Sequence, residues 1–123
     1  MKIMLVDDSR TMRNVQKRIL AQVGHTDIVE ATDGIDALSR FKAEPADLIL
    51  LDWNMPQMDG LTFLKQFRGE GHATPIIMVT TEAEKARVIE AIKAGVNNYV
   101  VKPFTPEVLS ERIEETLART QAA

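Results

Sequence analysis

The sequence contains no cysteine, which excludes disulfides and thiolate metal sites and suits a reducing compartment. No apolar run approaches the roughly 20 residues that a membrane helix needs. A strand-like run begins at the third residue, so no signal peptide is expected. Charge of one sign is not in large excess either: 15 Lys and Arg against 18 Asp and Glu leave a net charge of −3. That balance gives no general attraction to nucleic acid or anionic lipid. Repeats, low-complexity tracts and interdomain linkers are also missing. What is present is 123 residues, 45% hydrophobic and 27% charged, the composition of an ordinary globular chain with one core. The expectation is a soluble, cytoplasmic, monomeric protein in which residues 1–123 form one domain without an output domain.

The chain is organised around Leu48-Ile49-Leu50-Leu51-Asp52-Trp53-Asn54-Met55-Pro56. Four consecutive apolar residues read as a strand buried on both faces, the mark of a parallel sheet covered by helices. Asp52 follows at the carboxyl end, the edge where open α/β sheets bind ligands. The same pattern recurs along the chain. Ile3–Val6 runs into Asp7-Asp8, and Ser9 or Asp8 can cap a helix with Met12, Val15, Ile19, Leu20 and Val23 at helical spacing, stopped by Gly24. Ile28–Ala31 is a weaker strand, plausible at a sheet edge. Asp33-Gly34 opens a second helix, bounded by Pro45. Asp59 caps a third, closed by Gly69 and Gly71.

Ile76–Val79 forms another buried strand, ending in Thr80. Thr81 with Glu84 predicts a capping box for a fourth helix containing Val88, Ile89 and Ile92, terminated by Gly95. Tyr99–Val101 ends in Lys102-Pro103. Thr105 as N-cap and Pro106 start the last helix, with Leu109, Ile113 and Leu117 four residues apart, and the tail Ala118–Ala123 is expected to fray. Five strands alternating with five helices predict an α/β fold, a (βα)5 doubly wound five-stranded parallel sheet with right-handed crossovers. Two strand orders suit so short a chain, the flavodoxin-like 2-1-3-4-5 and a Rossmann half. Length and five units favour the first.

Parallel strands put all their carboxyl ends on one edge, so Asp7-Asp8, Asp52, Thr80 and Lys102 should converge. Carboxylates about 4 Å apart repel by on the order of 4 kcal/mol per pair at an effective dielectric near 20. Lys102 supplies one compensating charge, and a divalent cation would supply two. The donors are all oxygen, which points to a hard ion, Mg²⁺ or Mn²⁺. Such an ion keeps several waters and takes a phosphoryl oxygen. Lys102 and the Thr80 hydroxyl would hold the remaining oxygens while Asp52 attacks phosphorus to form an acyl phosphate.

These motifs at these positions resemble two-component receiver domains, and the Asp52–Pro56 and Gly95–Phe104 stretches are most similar to stand-alone chemotaxis response regulators, for which the order 2-1-3-4-5 is a standing example. The resemblance covers essentially the whole chain. It implies Asp52 as phosphoacceptor and Asp8, Asp52 and the Asn54 backbone carbonyl as direct Mg²⁺ ligands, with Asp7 acting through water. Lys102 is then the phosphate-binding lysine, preceding a cis bond to Pro103, and Thr80 and Tyr99 are the switch pair. The resemblance also implies a histidine kinase as phosphodonor. A partner face would be built from the fourth helix, fifth strand and fifth helix, including Lys85 and Tyr99. The expected output is flagellar motor control; a phosphorelay intermediate, or regulation of another enzyme, is the alternative.

Two positions depart from the pattern. Thr81 stands where many receivers carry Ala or Gly, and its bulk would narrow access to the phosphoryl group. Ser9 replaces an aromatic residue found in some chemotaxis regulators. Asn54 and Glu82 flank the site and are placed to tune attack by water on the acyl phosphate. Gly69-Glu70-Gly71 begins like a dinucleotide loop but precedes a strand and lacks the third glycine. His25 and His72 read as plain surface residues. Two functions of other classes are weaker. A Mg²⁺-dependent phosphohydrolase with Asp52 as nucleophile would need a leaving-group acid and a cap, and an FMN carrier would have its phosphate repelled by Asp7-Asp8. The chain is therefore expected to be a phosphoacceptor switch rather than an enzyme with turnover.

Overall fold

Buried strands and amphipathic helices alternate along the chain as their periodicities require. The computed structural model describes residues 1–121. The strands are β1 (Lys2–Val6), β2 (Asp27–Ala31), β3 (Leu48–Leu51), β4 (Ile76–Thr80) and β5 (Asn98–Val101), and the helices are α1 (Arg10–Gln22), α2 (Gly34–Ala43), α3 (Gly60–Gly69), α4 (Lys85–Ala94) and α5 (Pro106–Gln121). All pairings are parallel, in the order β2-β1-β3-β4-β5. The fold is thus the doubly wound one expected, with β2 and β5 at the two edges.

Alternation along each strand divides the core. Met4, Val6, Ile49, Leu51, Ile76 and Met78 face a layer with Ala37, Phe41, Phe63, Leu64, Phe67 and Ala91, from α2, α3 and α4. Ile3, Leu5, Leu48, Leu50, Ile77 and Val79 face the other, where Ile19 and Leu20 of α1 meet Leu109 and Ile113 of α5. The three middle strands are buried on both sides, which is why their sequences read as continuous apolar runs.

Most helix boundaries follow local chemistry. Ser9, not Asp8, caps α1 by accepting from the Met12 N–H at 3.2 Å. Asp33, Asp59 and Thr105 accept from the N–H groups of Asp36, Thr62 and Val108. Gly95 ends α4 at φ 108°, a left-handed conformation that glycine adopts without strain.

Two expectations fail. The capping box at Thr81 does not form: α4 begins at Lys85, with Glu84 in the N-cap position and no side-chain bond to the helix. The residues before it are held by the site instead, as described below. α4 does contain Val88, Ile89 and Ile92; the two isoleucines stand exposed, and Ala91 is the buried residue of the helix. The last helix does not fray at Ala118 but continues to Gln121, helped by the Thr120 hydroxyl donating to the Thr116 carbonyl; residues 122–123 lie outside the described residues. His72 is also more than a surface residue, since its ring stacks on Phe67 with centroids 4.5 Å apart.

Candidate functional site

Strand register brings the acids together. Val6 pairs with Leu51, so the residues that follow, Asp7 and Asp52, emerge side by side, and the Asp52 N–H donates to the Val6 carbonyl at 2.9 Å. Thr80 pairs with Val101, and the Lys102 N–H donates to the Thr80 carbonyl at 2.8 Å. Two further turns of chemistry close the edge. The cis Lys102–Pro103 bond expected for this loop is present. Gly60, the first residue of α3, donates its N–H to the Trp53 carbonyl at 2.8 Å. A Cβ on Gly60 would lie 2.1 Å from the Asp52 carbonyl oxygen. The glycine is required there by close approach of backbone, not by turn geometry.

Asp7, Asp8 and Asp52 each offer a carboxylate oxygen within 4.8 Å of the others. Their surroundings differ. Asp7 is buried, and both its oxygens are engaged: Oδ1 accepts from the Ser9 N–H at 2.9 Å and Oδ2 meets Lys102 Nζ at 2.9 Å. Asp52 is buried, with Oδ1 accepting from the Trp53 N–H at 2.8 Å and Oδ2 3.4 Å from Lys102 Nζ. Asp8 is exposed. Burial pushes the Asp52 carboxyl above the usual range, opposed first by Lys102 and reinforced by Asp7. The donor set fits a hard divalent ion: three carboxylates, all-oxygen, carrying more negative charge than Lys102 alone offsets.

Thr80 is fully buried, and its Oγ1 accepts from the Glu82 N–H at 3.3 Å. Glu82 meets two more groups expected at the site. Its backbone carbonyl accepts from the Tyr99 hydroxyl, and its carboxylate accepts from Asn54 Nδ2 at 3.2 Å. Burial, then the Glu82 charge, push the Tyr99 phenol up to about 12, opposed by Arg87, so Tyr99 is a neutral donor in this contact. Lys85 is exposed at the first turn of α4, on the opposite side of this loop from the acids in chain order.

The structure therefore gathers Asp7, Asp8, Asp52 and Lys102 directly, and joins Asn54, Thr80 and Tyr99 through Glu82. Four participants carried no such reading in sequence. Ser9 and Trp53 act through backbone N–H groups, which no side-chain pattern announces. Arg13 donates from Nη1 to the Asp7 carbonyl at 2.6 Å. Arg87 lies over the Trp53 ring, 5.3 Å from its centroid. Gly60 carried a legible signal, a glycine directly after a capping aspartate, but its reason is a backbone crossing that only the fold creates.

Comparison with known proteins points the same way as the geometry. The family model described as response regulator receiver domain matches residues 3–114. The chain is 52% identical over 120 residues to a chemotaxis protein CheY homolog of Campylobacter jejuni, covering 95% of this chain and 92% of that protein. Among solved structures, Vibrio cholerae chemotaxis protein CheY4 superposes with a TM-score of 0.86 at 34% identity, covering 94% of this chain and 97% of the other. CheY of Borrelia burgdorferi, solved in a complex with CheX, BeF3 and Mg²⁺, superposes with a TM-score of 0.90 at 25% identity, covering 94% and 88%.

Proposed function

The chain belongs to the response regulator receiver family, and from that premise we propose that it is a single-domain, CheY-like phosphorylation switch of chemotaxis. The observation that carries this reading is the Asp52 carboxylate, buried at the sheet edge and facing Lys102 across 3.4 Å with Asp7 and Asp8 beside it.

Asp8, Asp52 and the Asn54 backbone carbonyl would hold Mg²⁺ or Mn²⁺, with Asp7 reached through water because Ser9 and Lys102 already occupy its oxygens. When bound, the ion neutralises carboxylate charge and polarises phosphoryl oxygens. A histidine kinase phosphohistidine supplies the phosphoryl group. An Asp52 oxygen forms a bond to phosphorus as the bond to the histidine nitrogen breaks, and the imidazole leaves. Lys102 draws the phosphoryl oxygens toward its ammonium group.

The phosphoryl group changes the balance of contacts around Glu82. The Thr80 hydroxyl leaves the Glu82 N–H for a phosphoryl oxygen, and the loop that also holds Tyr99 and Asn54 adjusts with it. The equilibrium between two arrangements of α4, β5 and α5 thereby shifts by the phosphoryl group's differential contacts, which is all that a switch requires. The partner face includes Lys85 and Tyr99, with the exposed Ile89 and Ile92 of α4 as apolar contacts. A flagellar motor switch protein is the expected partner, in the cytoplasm. Among the described residues no helix is long and apolar enough to cross a membrane.

Intact mass after incubation with Mg²⁺ and a small-molecule phosphodonor tests the reading. One added phosphoryl group in the parent and none in Asp52→Asn is expected. A folded, Mg²⁺-binding parent that stays unmodified would overturn it.

A further inference from the structure

At the edge of the sheet opposite to β5, four residues of one α1 face, spaced i, i+3, i+4 and i+7 from Arg10 to Lys17, look across β2 toward α2. They border a cavity of about 340 Å³. Its cations are Arg10, Arg13, Lys17 and Arg40, and its carboxylates are Glu30 and Asp36. Four positive groups against two negative ones reverse the sign of a chain whose net charge is −3.

The internal ion pairs leave much of this positive surface unspent. Glu30 takes both Arg13 and Lys17, at 2.9 and 3.1 Å. Arg40 spends Nε on Asp36 at 3.1 Å, which leaves its terminal nitrogens free of an ion pair. Arg10 is exposed and forms no ion pair among the described residues. The Arg10 guanidinium, and the two terminal nitrogens of Arg40, can each take a carboxylate through two parallel hydrogen bonds.

Two further features give the groove direction. β2 pairs only with β1, so its outer backbone groups have no strand partner. A second, more open cavity of about 630 Å³ adjoins the first, sharing Thr32, Asp36 and Arg40, and adds Ile35, which is 52% exposed, and Asp33, whose carboxylate caps α2 by accepting from the Asp36 N–H. A groove that is cationic at its α1 end and carries an exposed apolar residue at the other suits a segment long enough to reach both better than a compact ion.

We propose that the groove between α1 and α2 across β2 is a docking surface for an extended acidic segment of a partner protein. Its carboxylates engage Arg10 and Arg40, and one apolar side chain covers Ile35. Because β2 and β5 end the sheet on opposite sides, a partner here leaves the α4–β5–α5 face open. The surface stands independently of phosphorylation at Asp52.

The test uses the full chain and a fluorescein-labelled peptide of alternating glutamate and leucine, read by anisotropy at low salt and by amide chemical-shift mapping. Saturable binding is expected, with shifts confined to Arg10–Lys17, Asp27–Thr32 and Ile35–Arg40, and no binding of the lysine–leucine counterpart. The double variant Arg10→Glu, Arg40→Glu should weaken binding about tenfold or more, while Lys65→Glu on α3 should not. The double variant should still take up one phosphoryl group, so a failed switch and a failed groove are told apart. No saturable binding, shifts centred on α4–β5–α5, or undiminished binding by the double variant would overturn the proposal. So would inorganic pyrophosphate binding the groove as tightly as the peptide, which would make it a small-anion site.

Discussion

Asp52 shares its counter-charge with Asp7, and that sharing decides which substitutions matter. Lys102 Nζ lies within 3.4 Å of both carboxylates and is itself largely buried. Removing one partner of a buried ion pair leaves the other uncompensated, at about 3–5 kcal/mol. Lys102→Ala should therefore lower the metal-free stability by about 3 kcal/mol in urea unfolding, with Mg²⁺ restoring part of the loss. Asp8→Asn should behave differently. Asp8 is exposed, so relief of its repulsion should raise metal-free stability by less than about 0.5 kcal/mol. The same variant should lose the stabilisation that Mg²⁺ gives the parent; a parent and variant equally stabilised by Mg²⁺ would remove Asp8 from the ligand set. The acids and Lys102 were legible in sequence because each ends an apolar run, and strand ends of a parallel sheet have one destination. Glu82 as a junction was not legible. Two of its three contacts run through its own backbone, and a main-chain N–H or carbonyl is the same in every residue type.

Helices show where a local rule yields to a tertiary one. Asp33, Asp59 and Thr105 cap as their sequences direct, yet Thr81, followed by Glu84 in the same capping pattern, does not. The chain from Thr80 to Glu82 is committed to the hydroxyl of Thr80, the phenol of Tyr99 and the amide of Asn54. The helix can begin only beyond it, at a residue whose side chain makes no cap. Glu84→Ser should supply that cap and stabilise the protein by about 1 kcal/mol, read as a shift of the urea midpoint without change of slope. A neutral or negative shift would mean that the α4 start is set by the loop alone. The α3 start offers a paired test of close approach. Gly60→Ala drives a methyl into the Asp52 carbonyl and should cost about 3 kcal/mol. Gly69→Ala, at the last helical position of α3 with open space around it, should gain about 0.5 kcal/mol. Equal effects at the two sites would show that helix propensity, not the backbone crossing, selects glycine at position 60.

Taken whole, the molecule has two cores on either side of one sheet, and the apolar runs made that layering legible before any coordinates did. The edge strand was the weak point. β2 carries Glu30 amid apolar neighbours; its edge position was read from its weaker pattern, but sequence spacing does not reveal the contact made there, Arg13 and Lys17 of α1 reaching across to Glu30. Arg13 also holds the Asp7 carbonyl, so one side chain ties the edge to the site. This tie gives the acid limb of the stability curve. Burial alone would raise the Glu30 carboxyl, but the hydrogen bonds and charges of Arg13 and Lys17 outweigh it and hold it below its ordinary value of 4.5. A depressed carboxylate binds fewer protons folded than unfolded through that range, so its stabilisation is present above about pH 4.5 and is lost as the pH falls through the folded value. Glu30→Gln should accordingly lower stability at neutral pH and follow a flatter acid limb, the two curves converging as the pH is lowered. Urea unfolding of both proteins across this range reads it directly. Curves that stay parallel would assign the loss in Glu30→Gln to packing at the edge, with the bridge from α1 to β2 contributing no charge-dependent stability.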